Sequence, residues 1–255
     1  MSEEMFNVQF SEAEREALRE ALSDMKNPVN ISVFVSDACR FCEATIYLVN
    51  VLRDESPEIN GRKLINVEIY YNRRDDDIFE AYKIDRTPTI TLVDGHVRYV
   101  GIPAGEEIKG LVETIIRISR DESGLRDEII KALAEVDVPI RIETIVTPSC
   151  PYCPYAALLA NMFAYENWKS GRRTIISEVI EAYENVDIAE KYGVMTVPTI
   201  AINGEVEFIG VPYDDDLLSR VMDKVKRIKE AQRIKKGKEM LKRYVKEYLR
   251  RLEEE

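Results

Sequence analysis

Hydrophobic and polar positions along this chain fall into alternating helical and strand periods. Ser11 with Glu14 forms a capping box that opens an amphipathic helix to about Met25. Residues 29–35 alternate and are rich in β-branched side chains, which predicts a strand. A helical stretch over 40–52 follows, then a strand over 64–70. Residues 75–82 read as a short helix whose Asp75-Asp76-Asp77 run suits its positive N-terminal end. Residues 89–93 and 97–100 flank Asp94-Gly95, a hairpin signal, and a helix over 106–119 closes the series.

The same order then recurs: helix 126–135, strand 140–146, helix 154–168, strand 174–180, helix 187–192, a hairpin across Asn203-Gly204 and a last long helix. Particular residues repeat with it. Cys39/Cys42 recur as Cys150/Cys153 at an offset of 111, and Pro88-Thr89-Ile90 as Pro198-Thr199-Ile200 at 110. Asp77-Ile78 recur as Asp187-Ile188 at 110, and Gly101 and Pro103 as Gly210 and Pro212 at 109. Matches in one order at a nearly constant offset mark a duplication. Asp121 to Gly124 breaks the helical pattern, which sets the expected division at 1–122, 123–229 and a basic helical extension 230–255. The expected class is α/β, and the order of elements resembles two tandem thioredoxin-like units, each a mixed central sheet flanked by helices.

Charge narrows the function classes. The net charge of −11 argues against nucleic acid as main partner, because phosphate binding needs a basic surface. The acidity is uneven: residues 224–255 carry 13 Lys or Arg against 6 Glu, a net +7, which leaves −18 on the rest. A charged fraction of 33% with only two Gln is a pattern seen in heat-adapted proteins. No leader-like segment opens the sequence and no apolar run approaches bilayer-spanning length, so a soluble cytoplasmic protein without membrane contact is expected. There, four cysteines point to catalysis or metal binding rather than a structural disulfide framework.

A Cys-x-x-Cys pair at a strand-to-helix junction has a clear purpose. Backbone N–H groups and the helix dipole stabilise a thiolate on the first sulfur, the attacking species. Two intervening residues leave the second sulfur close enough to resolve a mixed disulfide. Cys39 and Cys150 are therefore expected nucleophiles, and Cys42 and Cys153 resolving residues. Thr87-Pro88 and Val197-Pro198 stand just ahead of the hairpin strands. A cis X-Pro bond there would lay an extended edge beside the sulfurs, where a substrate strand pairs.

Cys150-Pro151-Tyr152-Cys153 is the active-site motif of glutaredoxins, and the stretch from Val146 to Pro154 resembles the second unit of the protein disulfide oxidoreductases of hyperthermophilic archaea and bacteria. The resemblance covers residues 6–228. It implies dithiol/disulfide exchange on protein substrates, isomerisation included, with redox-active disulfides and no other cofactor. It also implies a flavin- and NADPH-dependent thioredoxin reductase as electron donor. Two features depart from the pattern. Cys39-Arg40-Phe41-Cys42 is not a standard motif, and the buried Asp that thioredoxins carry six residues before the nucleophile is Val33 in one unit and Thr144 in the other. Glu68 and Glu178, at equivalent repeat positions, are candidate proton acceptors, against a reading as partly solvated strand-end carboxylates.

Competing readings remain at this stage. A zinc site is disfavoured because 107 residues lie between Cys42 and Cys150, and each pair has its own proline and hairpin. An electron shuttle to a peroxiredoxin is a rival enzyme function, and a redox-inert binding scaffold a non-enzymatic one. His96, the single histidine, is expected to be an exposed turn residue, and Trp168 a packing residue. Leu241, Tyr244, Val245, Tyr248, Leu249 and Leu252 form one helical stripe among Lys and Arg. That stripe is read either as a solvated helix or as a partner-binding element through which the chain forms a homo-oligomer.

Overall fold

The structure, a computed structural model, describes Phe6 and residues 8–253. Helix α1 (Glu12–Leu22) starts with the expected capping box: Ser11 N–H donates to Glu14 Oε2 at 2.7 Å, and Glu14 N–H to Ser11 Oγ at 3.3 Å. Strand β1 (Val29–Val35) leads through the first Cys pair into α2 (Cys42–Glu55). A short hairpin, β2 (Glu58–Ile59) and β3 (Arg62–Lys63), which the sequence pattern did not reveal, precedes β4 (Ile65–Tyr71) and α3 (Asp76–Tyr82). Strands β5 (Thr89–Leu92) and β6 (Val97–Val100) and helix α4 (Glu107–Arg120) complete the first half. In β1 only Asn30 is exposed, because both sheet faces are covered: Phe34 lies under Tyr70, Phe79 and Tyr82 on the α3 side.

The second half runs α5 (Asp127–Ala134), β7 (Ile140–Val146), α6 (Cys153–Lys169), β8 (Ile175–Glu181), α7 (Val186–Lys191), β9 (Thr199–Ile202), β10 (Glu205–Ile209) and α8 (Asp214–Glu253). The two halves share one eight-stranded sheet, in the order β10-β9-β7-β8-β6-β5-β1-β4, because β6 pairs in parallel with β8. All strands run one way except β5 and β9.

Side chains fasten this junction. Arg98 on β6 meets Glu178 on β8 at 3.2 Å, with both side chains under a tenth exposed, and donates to the Tyr82 and Gly95 carbonyls. Helix α4 packs on α6 so closely that a Cβ at Gly110 would lie 3.2 Å from Pro154 Cα. Buried Asn161 on α6 donates to Tyr99 Oη and Thr114 Oγ1 and accepts from Ser177 Oγ, so α4, α6, β6 and β8 share one satisfied network.

One expectation changes. His96 is half-buried, not an exposed turn residue: Nδ1 lies 3.0 Å from the Ile175 carbonyl, and burial lowers its pKa. The turn before it is a helical one in which Val93 and Asp94 both take positive φ, and Asp94 accepts from Trp168 Nε1 of the other half. The position expected to divide 229 from 230 lies within α8, which runs unbroken for 40 residues. The described side chains from Lys229 to Tyr244 are exposed; those of Val245, Tyr248, Leu249 and Leu252 lie outside the described residues.

Candidate active site

Both cysteine pairs are disulfide-bonded, Cys39–Cys42 and Cys150–Cys153, with Cα atoms 5.5 and 5.4 Å apart. Helices α2 and α6 begin at the second cysteine of each pair, so both disulfides sit at a helix N-terminus. In the second pair the Cys153 N–H donates to Cys150 Sγ at 3.1 Å. This contact, with the helix dipole, stabilises negative charge on that sulfur once the bond is opened.

Because β1 and β7 run in the same direction, their C-terminal ends open on one edge of the sheet. Three strands lie between them, so the two centres stand about 19 Å apart at about 4.8 Å per strand. The peptide bonds Thr87-Pro88 and Val197-Pro198 are both cis, at the same edge, because β5 and β9 start there running the other way. Each proline carbonyl is taken by a glycine N–H, Gly101 and Gly210, at 2.9 and 2.8 Å. Thr87 is further tied to Ser36, hydroxyl to hydroxyl at 2.7 Å, and its neighbour Arg86 makes a two-pronged contact with Asp187 of the second half.

The two centres differ in cover. At the first, Phe41 lies under the buried Phe6 with ring centroids 4.7 Å apart, and Phe6 also meets Tyr183 edge-on from the second half. At the second, Tyr152 is 67% exposed. A groove of about 400 Å³ runs beside it along α4 and α6, lined among others by Lys109, Glu113, Pro151 and Tyr155.

Glu68 and Glu178, equivalent in the repeat, have unlike surroundings. Glu68 is exposed on the outer strand β4 and accepts from Tyr70 Oη at 2.8 Å. Glu178 is buried rather than partly solvated, held by Arg98 and Arg141 at 3.2 Å each; burial raises its pKa. Its contact with Arg98, which reaches the Tyr82 carbonyl, puts it on the α3 side of the sheet. Glu181, three residues on, faces the opposite side.

The structure shows a different set of acids beneath the second centre. Glu107 on α4 is 1% exposed, and neither carboxylate oxygen has a hydrogen-bond partner. Burial, with Glu181 and Glu106 nearby, pushes its pKa up to about 8. Burial raises Glu181 to about 7 and Glu184 to about 6, although Glu181 accepts from the Glu184 N–H and Glu184 from the Ile102 N–H. Thr144, at the position of the missing Asp, is fully buried with its hydroxyl unpaired. Sequence reasoning did not single out Glu107; the start of α4 is packed against Pro148 and Pro154 of the second half. Among the described residues no group of His, Cys, Asp and Glu is placed to hold a metal ion.

The thioredoxin domain family matches residues 29–113 and 140–221, once per half. The chain is 52% identical to a protein disulfide oxidoreductase from Aeropyrum pernix, with a TM-score of 0.86 over 88% of this chain and 97% of that one. It is 39% identical over 82 residues to a thioredoxin of Methanocaldococcus jannaschii, covering 32% of this chain and 92% of that protein. The N-terminal domain of alkylhydroperoxide reductase AhpF from Enterococcus faecalis, 18% identical, superposes with a TM-score of 0.73 over 83% of this chain and 99% of the domain, a likeness of fold. With a Cys-x-x-Cys and a cis-proline in each matched segment, the chain belongs to the thioredoxin domain family.

Proposed function

We propose that this protein is a protein disulfide oxidoreductase with two dithiol centres, working by thiol–disulfide exchange. The observation that carries this reading is the pairing, twice over, of a disulfide at a helix N-terminus with a cis-proline edge. Cys39 and Cys150 are the nucleophiles: each attacks a substrate sulfur, and Cys42 or Cys153 then displaces the substrate and closes the ring disulfide. The backbone at Thr87-Pro88 and Val197-Pro198 receives the substrate chain as an added strand. The redox-active disulfides are the working groups. Division into units 1–122 and 123–229 with an extension 230–255 belongs to this reading, as does a cytoplasmic setting. A flavin- and NADPH-dependent thioredoxin reductase supplies electrons, and the substrates are protein disulfides and dithiols, peroxiredoxins and isomerisation included.

The second centre is the one that dominates turnover, although Cys150 is the more buried of the two nucleophiles: the Cys153 N–H already points at Cys150 Sγ, and Pro151 stiffens the loop. Insulin reduction by single variants tests this. Cys150→Ser removes most of the activity and Cys39→Ser only part of it. Full activity in a variant lacking all four cysteines would refute the oxidoreductase reading, and the reverse ranking would refute the asymmetry.

A further inference from the structure

We propose that Glu107, carried by the closing helix of the first half, is the proton acceptor for Cys153 in the second half. The proposal rests on the oxidoreductase reading above and adds a residue to it that lies outside the repeat unit it serves.

The geometry is a wedge. The N-terminus of α4 is seated between the two prolines that bracket the second cysteine loop. Glu106 N–H donates to the Pro148 carbonyl at 2.9 Å, and Gly110 abuts Pro154. Glu107 lies between these contacts, three residues before Gly110 and so on the same helix face. That face looks onto the start of α6, where Cys153 is fully buried. Among the described residues, every buried side-chain oxygen or nitrogen without a hydrogen-bond partner belongs to Glu107, Thr144 or Glu181. These come from α4, β7 and β8. Thr144 stands beside Val179 in the ladder and Val146 beside Glu181, so the unpaired groups gather at the end of the sheet from which the loop springs. Buried polar atoms are normally paired, and a cluster of exceptions at one redox centre calls for a role.

Among the described residues, the titratable groups that act on Glu107 are Glu181 on β8 and Glu106 on its own helix; Tyr99 on β6 feels Glu107 in turn, and Glu184 acts on Glu181. No cation is among them. The acidic neighbours and the burial both keep its carboxyl basic enough to take a proton from a thiol near neutrality.

Cys150 thiolate attacks one sulfur of the substrate disulfide, and the other leaves as a thiolate. The Cys153 thiol then gives its proton to the Glu107 carboxylate and attacks Cys150 Sγ. The Cys150–Cys153 bond forms, the bond to substrate breaks, and the departing substrate thiolate takes the proton from Glu107. Two electrons pass from the dithiol to the substrate. In the reverse direction Glu107 returns the proton to Cys153.

In the duplication Glu107 corresponds to Asp216 at the start of α8, which is exposed, so burial distinguishes the two positions.

The test uses the full chain carrying Cys39→Ser and Cys42→Ser, so that only the second centre reports. The lifetime of its mixed disulfide with a labelled peptide disulfide is followed by rapid quench across pH 5 to 10. With Glu107 present, resolution accelerates through an ionisation near pH 8. Glu107→Gln slows it about a hundredfold at pH 8, the low end for a positioned general base, and removes that ionisation. Glu107→Asp recovers part of both. A Gln variant with unchanged rate and pH profile would overturn the proposal. So would Gln and Asp variants equally slow with the ionisation still in place, the mark of a purely structural residue. If no mixed disulfide forms even with Glu107 present, the oxidoreductase reading itself falls, and this proposal with it.

Discussion

At the scale of single residues, the Glu107 carboxyl couples the redox site to stability. Its folded pKa of about 8 lies above the usual carboxylate value, so between about pH 4.5 and 8 the folded state holds a proton that the unfolded chain releases. Stability therefore falls as pH rises through that window, by on the order of 5 kcal/mol at most if Glu107 acted alone. Glu181 and Glu184, also raised, push in the same direction. Glu107→Gln keeps the shape and removes the charge. Thermal melting of the oxidised protein at pH 5 and pH 8 should show a smaller difference in this variant than in the parent, with the gain concentrated at pH 8. An equal pH dependence in both would mean that Glu107 is not buried as described. Glu178, by contrast, is paired: two arginines offset part of its burial, so it is a structural anion at the junction.

At the scale of elements, the sheet edges and the last helix stand out. Strand β10 occupies in the second half the place of β6 in the first, but has no neighbour on its outer side and carries a register shift between Val206 and Phe208. Its partner by analogy would be the other free edge, β4. The position matching Arg98 in the ladder is Val206, so a second copy joined there would bury Glu68 without an arginine. A bulged strand and an unanswered carboxylate keep the sheet from growing end to end. Of the two elements, α8 is the one through which the chain is expected to associate. Lys224 is buried against Glu205 and Glu207, and Lys229 pairs with Asp137 at 2.6 Å; beyond that the helix runs exposed and basic. The exposed run of α8 gains little from packing on its own chain, and Gly237 costs it about 1 kcal/mol relative to Ala, so a partner surface would stabilise it. Contact of this basic segment with the acidic body of a neighbouring copy is the expected outcome, weakening as salt rises. Truncation after Ile228 should then give a monomer with both cysteine pairs still active. Sedimentation showing a full-length monomer at every salt concentration would dispose of this and leave α8 a solvated helix.

At the scale of the whole molecule, the two halves are not independent modules. The β6–β8 ladder, the Arg98–Glu178 pair, the Asn161 network and the Arg86–Asp187 contact all cross the junction. A chain cut to residues 123–255 would expose the inner edge of β8, lose the α4 face against α6, and leave Arg141 as the remaining cation on Glu178. Such a fragment is expected to aggregate or melt well below the intact protein, as a bared sheet edge and an uncovered apolar face both favour association. Circular dichroism and gel filtration would check this, and a monomeric fragment with intact-protein melting would refute it.

Periodicity determined the main element order, because helix and strand repeats of 3.6 and 2 are written into neighbouring side chains, and residue matches at a constant offset determined the duplication. The cysteine spacing and the X-Pro sites were legible for the same reason: each depends on residues close in the chain. The β2–β3 hairpin is too short for a period to show. Which edge of one unit meets the other, and therefore which carboxylates are buried, depends on residues far apart in sequence. Glu178 and Glu68 are equivalent in the repeat, yet one lies inside the sheet and the other at its rim. His96, expected at the surface, is half-buried for that reason, and the burial of Glu107 was not legible in the sequence. Burial is a property of what packs against a residue, and here the tertiary contact between two copies of one pattern decided it.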